Sequence, residues 1–255
     1  MDASLVVVEA RWMWYRRRWR ASVFSTLLQP LLFLIALGIG FGSLVSASPA
    51  TGGRDYLDYL APALLAAAAV QNAVTESTYP ILSHFKWRKT YHAMTSAPLT
   101  PAGVLRGELL WITARLGTAG LAYAAVAIPL GALSIPGALL ALPFAVLTGL
   151  AIGTPLIAYA ASITTEGPKF GPIIRFIVVP MTLFAGTFFP VSQLPLWAQP
   201  IVWATPLWHG TELCRAAAFG APTIGGLIVH SGYLAAVTAA GILLAARYYR
   251  RRLRV

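Results

Sequence analysis

Residues 116–165 read LGTAGLAYAAVAIPLGALSIPGALLALPFAVLTGLAIGTPLIAYAASITT, 50 consecutive positions without a charge, bounded by Arg115 and Glu166. A single helix of that length would extend about 75 Å at the α-helical rise. The hydrocarbon core of a bilayer is only about 30 Å thick, and about 20 apolar residues cross it. The stretch therefore holds two helices, and Ser134-Ile135-Pro136-Gly137 supplies the turn between them. This places spans near Leu109–Leu133 and Ala138–Ala161.

Uncharged blocks recur on both sides. Arg20 and Arg54 bracket 33 residues, Arg175 and Glu212 bracket 36, and Arg215 and Arg247 bracket 31; Asp58 and Lys86 bracket 27 that hold only Glu76. Further spans follow near Val23–Val45, Tyr59–Ser83, Ile173–Phe189 and Ile224–Ala246. The expected architecture is an all-α integral membrane protein with six transmembrane helices. It forms a single domain over 1–255, with an interfacial segment at 1–22, spans within 23–246 and a basic tail at 247–255. Hydrophobic residues make up 58% of the chain and charged ones 11%, against roughly 25% charged in soluble domains. Val45-Ser46-Ala47 resembles a cleavage site, but the apolar stretch before it is too long for a signal peptide, so the first span is expected to be retained.

Lysine and arginine set the orientation. Sixteen of the 19 lie before the first span, in the second-to-third and fourth-to-fifth connections, or after the last span. Arg54 and Arg215 lie on the other side, and Arg115 lies within the third span. Both termini are thus expected in the cytoplasm. The net charge of +11 is spread along span flanks and forms no single face, which points to anionic membrane lipids and away from nucleic acid. A lone cysteine, Cys214, leaves the redox compartment open.

Several polar features stand out. Leu5, Val8, Trp12, Tyr15 and Trp19 recur at steps of 3 and 4 among arginines, as in an amphipathic helix at the membrane interface. A plain orienting flank is the alternative. Glu76 is the only acid deep inside a span, and Asn72, Glu76, Tyr79 and Ser83 follow helical steps. They read as a polar lining of a substrate path, or as a structural lock in which Glu76 pairs with Arg115 or Arg106. In the 84–107 connection, Trp87, Tyr91 and Met94 are spaced as one face of a short helix flanked by Lys86, Arg88 and Lys89. That helix either docks a protein or lies on lipid. Thr100-Pro101 reads as the cap and first turn of the next helix. The segment 186–215 holds four prolines, Pro190, Pro195, Pro200 and Pro206, with Trp197, Trp203 and Trp208. Proline at that density forbids one continuous helix. Short re-entrant helices capped by Ser192 and Thr205, or an ordinary loop with an aromatic belt, are the two readings.

No P-loop occurs, and none of the three lysines follows a glycine. His84, His92, His209 and His230 show no metal-ligand spacing, and no nucleophile–base pair is visible. A membrane-embedded lipid-modifying enzyme would have only Glu76, Glu108 and Glu166, on separate segments, at the cytoplasmic side. A proton-coupled secondary transporter would rest on Glu76 alone, without an internal repeat to support it.

Residues 73–115 (AVTESTYPILSHFKWRKTYHAMTSAPLTPAGVLRGELLWITAR) resemble the second-span and cytoplasmic-loop signature of ABC-2 type permeases, in the branch of nodulation-factor and daunorubicin-type exporters. Residues 186–215 (GTFFPVSQLPLWAQPIVWATPLWHGTELCR) are similar to that family's signature after the fifth span, and the resemblance covers essentially the whole chain. It implies the permease subunit of an ATP-driven exporter in the bacterial cytoplasmic membrane. Its partners would be separate ABC ATPase subunits, which bind the ATP and Mg, and a second permease, a copy or a homologue. The cargo implied is lipid-linked, glycolipid or drug-like. Trp12, Tyr15 and Trp19 would belong to the gate helix. Trp87, Arg88, Lys89, Tyr91, His92 and Met94 would belong to the coupling helix seated on the ATPase. Phe188, Phe189, Leu194, Pro195, Pro206 and Trp208 would belong to the outer re-entrant region, and Asn72, Glu76 and Tyr79 would line the path. No cofactor is expected in this chain.

Overall fold

The computed structural model describes residues 3–17, 20, 28, 30–41, 53–97, 99–164, 170–220 and 223–253. Among these, every regular element is helical. Helix α1 covers Ala3–Tyr15, α2 Tyr56–Ser77, α3 Tyr79–Lys86, α4 Thr90–Ser96, α5 Pro101–Ala127 and α6 Ile135–Ser162. Helix α7 covers Gly171–Phe184, with a π-helical turn at Ile174–Val178. Helices α8 (Gln199–Trp203), α9 (Pro206–Phe219) and α10 (Ile224–Leu253) follow. Four stretches are long and apolar enough to cross a bilayer: Tyr56–Lys86, α5, α6 and α10. Of the expected first span, a π-helical segment at Leu34–Phe41 is described, packed against α2; most of the remainder lies outside the described residues.

Local chemistry sets the helix ends. Thr100 and Ser134 cap α5 and α6, each side-chain oxygen accepting from the backbone N–H three residues on, at 3.1 Å. Proline follows each cap or lies one residue beyond, where its missing N–H is not needed. Helix α5 therefore starts at Pro101, as Thr100-Pro101 indicates, about two turns before the expected span at Leu109. Pro80 breaks the second span: its ring would clash with the Glu76 carbonyl in a continuous helix. The chain turns at Thr78 (φ −101°, ψ −103°) and restarts as α3. Helix α7 is shorter than the expected Ile173–Phe189, because Gly186 takes a left-handed conformation (φ +80°) just after it. Helix α10 is longer than expected. It runs through the basic residues to Leu253, so most of the 247–255 segment is helix and not a loose tail.

Helix α6 is the centre of the bundle, packing against α2, α9 and α10. Helix–helix contact in lipid depends on close approach, so small residues occupy the crossings. A Cβ on Gly149 of α6 would meet Leu116 at 2.8 Å and the Ala69 carbonyl at 3.0 Å. On α10, a Cβ at Gly241 would collide with Thr154 and Pro155 of α6. Of the most apolar 18-residue window in each, 83% is buried for Tyr56–Lys86 and 17% for α10, which puts α2 inside and α10 at the periphery. Helix α1 lies along the start of α5, and α4 packs between α5 and the end of α10, so both sit at the basic end of the bundle.

The proline-rich segment makes a 3₁₀ turn at Val191–Gln193 and then α8 and α9. Neither expected cap bond forms: Ser192 lies inside the turn, and the Thr205 hydroxyl donates backward to the Val202 carbonyl at 2.6 Å. One face of α9 turns back into the bundle. Its Arg215 is buried, donating to the carbonyls of Gly186 at 2.6 Å and Tyr59 at 3.3 Å while stacking over the Tyr59 ring at 3.7 Å.

Candidate functional site

At the basic end, α1, the end of α2, α3, α4 and α5 line a cavity of about 820 Å³. Two ion pairs border it, with Arg11, Glu108 and Glu76 in its lining. Arg11 of α1 grips Glu108 of α5 through both nitrogens, Nη2 to Oε2 at 2.7 Å and Nε to Oε1 at 3.0 Å. Two-pronged arginine–carboxylate pairs are the stronger and more directional kind. Arg115 of α5 donates from Nε to Glu76 Oε1 at 3.1 Å and from Nη1 to the Tyr15 hydroxyl at 2.8 Å. Tyr15 also meets the Trp111 edge at 5.6 Å. Of the two readings open for Glu76, the pairing with Arg115 is formed.

Tyr91 is the hub of α4 and is fully buried. Its hydroxyl accepts from Arg11 Nη2 at 3.4 Å, and its ring meets Phe85 at 4.7 Å and Tyr249 at 5.6 Å. Burial, then the Glu108 carboxylate, pushes its pKa well above the ordinary tyrosine value. Burial alone would lower that of Arg11, but Glu108 and Tyr91 outweigh it and hold the guanidinium above its usual value.

The expected aromatic face of the connection is redrawn. Trp87 caps α3 and does not belong to α4, because Lys89 takes a left-handed conformation (φ 51°) between the two helices. Trp87, Tyr91 and Met94 thus share no face. Trp87 is 60% exposed; Arg88, Lys89 and His92 are exposed, Met94 is half-buried, and Tyr91 points inward. The same elbow interrupts the Asn72–Ser83 line. Asn72 is buried and donates to the Ala68 carbonyl of its own helix at 2.9 Å, away from the cavity. Glu76 and Tyr79 line the cavity, Tyr79 with its edge against Phe170 at 4.9 Å.

The expected α1 stripe also divides. Val8 and Tyr15 are half-buried toward the bundle, whereas Leu5 and Trp12 are both 54% exposed. Trp19 lies outside the described residues. The buried face runs through Ser4, Val7 and Arg11 against Gly107 and Glu108. In the sequence Arg11 stands among the orienting arginines. The sign that sets it apart is its position one turn after Val7 and one turn before Tyr15, on the packed face.

At the opposite end, the Phe188 carbonyl accepts from the Tyr56 hydroxyl at 2.9 Å, and Phe189 meets Phe184 at 6.3 Å. The carbonyls of Leu194 and Pro195 accept from Gln199 and Ala198 at 3.0 and 2.8 Å, and Pro206 opens α9. Trp208 lies against His209 and His230, whose Nδ1 atoms are 2.8 Å apart, a pairing that scattered histidines in the sequence do not announce. Burial and the neighbouring His230 lower the His209 pKa, which leaves its imidazole neutral near pH 7. Among the described residues, no three His, Cys, Asp or Glu side chains are grouped to hold a metal.

Known proteins resemble this chain along most of its length. The family model described as ABC-2 type transporter matches residues 4–219. Nodulation protein J of Rhizobium leguminosarum bv. viciae is 29% identical over 252 residues, covering 98% of this chain and 94% of the relative. Nodulation protein J of Rhizobium leguminosarum bv. trifolii is 30% identical over 236 residues, covering 91% and 87%. That of Sinorhizobium fredii is 29% identical over 252 residues, covering 98% and 93%. The matched region takes in α1, the α3–α4 elbow and α9 together, and on that basis the chain belongs to the ABC-2 type transporter family, as a membrane-embedded transporter permease.

Proposed function

We propose that this permease is the six-span membrane subunit of an ATP-driven exporter, and that its ATPase seats on the elbow between α3 and α4. The family normally works with an ABC ATPase subunit. The observation that carries the reading is the elbow itself: a tryptophan 60% exposed beside exposed Arg88, Lys89 and His92. A large exposed aromatic followed in the chain by Arg88 and Lys89 suits a protein groove. ATP and Mg belong to that partner, a second permease completes the pathway, and both termini face the cytoplasm of a bacterium. Lipid-linked, glycolipid or amphipathic drug-like cargo fits a chain this apolar. The commitment of Glu76 to Arg115 supports ATP drive over proton coupling. Phe188–Trp208 forms the outer cap, and the exposed Trp12 of α1 lies in the headgroups.

The test is co-purification in mild detergent. Wild-type chain should retain an ATPase, and Trp87→Ala with Arg88→Glu should lose it at least about tenfold, as for removal of an interface hot spot. Undiminished retention by the double variant sinks the reading.

A further inference from the structure

The outer end carries a pair of histidines that the elbow does not use. His209 lies near the start of α9 and His230 near the start of α10. Their Nδ1 atoms are 2.8 Å apart and their ring centroids 5.0 Å apart. That centroid distance is close to the most such a nitrogen contact allows, so the rings meet head-on with both nitrogens on a common axis. A metal ion does not fit between them, and a proton does: one Nδ1 donates and the other accepts. His209 is buried and His230 half-buried. Tyr233 of α10 stacks on the His209 ring at 4.0 Å, and its hydroxyl donates to the Ala204 carbonyl between α8 and α9. Together these contacts fasten α8 and the start of α9 to the first turns of α10.

The bond has a defined response to acid. With both imidazoles neutral, one N–H faces one bare nitrogen. One added proton keeps that arrangement and makes the bond charge-assisted. A second sets N–H against N–H and brings two like charges together among aromatic rings. The surroundings offer these charges little. Glu212, one turn after His209, is half-exposed and pairs with Arg215 at 3.6 Å. Arg215 itself turns away to the Gly186 and Tyr59 carbonyls, and Arg54 stacks on Phe219 at the far end of α9. Tyr233 is the titratable neighbour on α10. Helix α6 packs on both α9 and α10 and holds no charged residue, and α8 holds no titratable one. Burial and His230 already lower the His209 pKa.

We propose that His209 and His230 are positioning residues that latch the outer cap to α10 through one shared proton, and that protonation of both rings releases it. Histidine protonation is a known way to switch a packed interface under mild acid. The sign follows from the coupled titration. Released imidazoles take protons near pH 6.5, whereas the latched pair resists the second one. The latched state is thus favoured above about pH 6.5 and loses ground as pH falls below it. Under the orientation proposed above, this end meets the medium outside the cell, so external acid loosens the cap. The latch is a different site from the elbow and needs no ATPase.

Amide exchange of the permease in nanodiscs tests it, read as protection after correction for the intrinsic pH dependence of exchange. In wild type, protection over α8 and the first turns of α9 and α10 should fall at least about tenfold between about pH 7.5 and about pH 4.5, a span that brackets the ordinary imidazole value. The buried helix α2 should not change. His230→Asn places an amide where Nδ1 stood, able to donate to or accept from His209 in either protonation state. That variant should stay protected across the whole range. His230→Phe keeps a ring without a bond, and should be as weakly protected at neutral pH as wild type is in acid. A merely structural role predicts one common pH profile for all three proteins, offset only in height. Wild-type protection that stays level, or a His230→Asn profile that falls in parallel with wild type, overturns the latch. Glu212→Gln is the control for the nearby carboxylate. It should keep the wild-type fall; loss of the fall there would assign the acid response to Glu212 and overturn the latch as well. Should His230→Asn not fold, His209→Asn carries the same prediction.

Discussion

Tyr91 shows how one side chain changes meaning between sequence and structure. Its hydroxyl is enclosed by Arg11, the Glu108 carboxylate and aromatic rings. Ionising it would place a second negative charge beside Glu108 without water, and its pKa is raised for that reason. The sign of the pH effect follows. An unfolded tyrosine releases its proton near pH 10, whereas the folded one keeps it. The stability contribution is therefore complete below about pH 10 and is lost as pH rises from there toward the folded pKa. Melting temperature in detergent should fall steeply above about pH 10, and Tyr91→Phe should make that fall shallower by up to about 1.4 kcal/mol per pH unit. Equal slopes for wild type and variant would contradict the burial of this hydroxyl. The Arg11–Glu108 pair follows the same physics. Each charge is tolerable only with the other, since a buried charge stripped of its partner destabilises by about 3–5 kcal/mol.

At the scale of helices, crossings replace hydrophobic burial as the source of specificity. Lipid tails are as apolar as leucine, so α10 gains little merely by leaving them. It holds to α6 because Gly241 lets the two backbones meet at Thr154 and Pro155. Gly241→Leu should push α10 away, with a penalty of about 1–3 kcal/mol or more from overpacking. Gly117→Leu on α5 is the control, because nothing lies within 4 Å of that position. The variant at 241 should lose its monodisperse peak in size-exclusion chromatography after mild heating, and the variant at 117 should keep it. Matching profiles would mean that the crossing carries no specificity. The capped start of α5 is legible in Thr100-Pro101, and Ser134-Ile135-Pro136-Gly137 marks the break before α6, which begins at Ile135. The division of the second span at Thr78 was not drawn, although Pro80 announces it.

Across the whole molecule, the arginines and lysines collect at the end where α1, α4 and the last turns of α10 meet, and the tryptophan- and proline-rich turns collect at the other. The orientation proposed from the charge rule puts the first end in the cytoplasm. The buried native cysteine makes single-cysteine labelling clean. In intact spheroplasts, Leu196→Cys, at a residue 84% exposed, should react with an impermeant maleimide, and Arg16→Cys should react only after lysis. The reverse pattern would invert the topology and remove the elbow from the reach of any cytoplasmic ATPase.

The class of molecule is legible in the chain alone, because uncharged runs and their basic flanks report partition between water and lipid, a property of each segment taken alone. The sequence also carried the family, through the stretches at 73–115 and 186–215, and the aromatic, basic character of the elbow. Which side chains face one another emerges only from the packed bundle. Arg11 became half of a buried clamp, Tyr91 turned from a surface contact into an internal hub, Glu76 took Arg115, and Tyr249 came to lie beside them. These partners are as much as 158 positions apart in the chain, from Tyr91 to Tyr249, and helical periodicity fixes only the face a residue occupies on its own helix. Which face meets which is set by where glycine and alanine allow two backbones to approach, a condition that exists only once the helices are assembled.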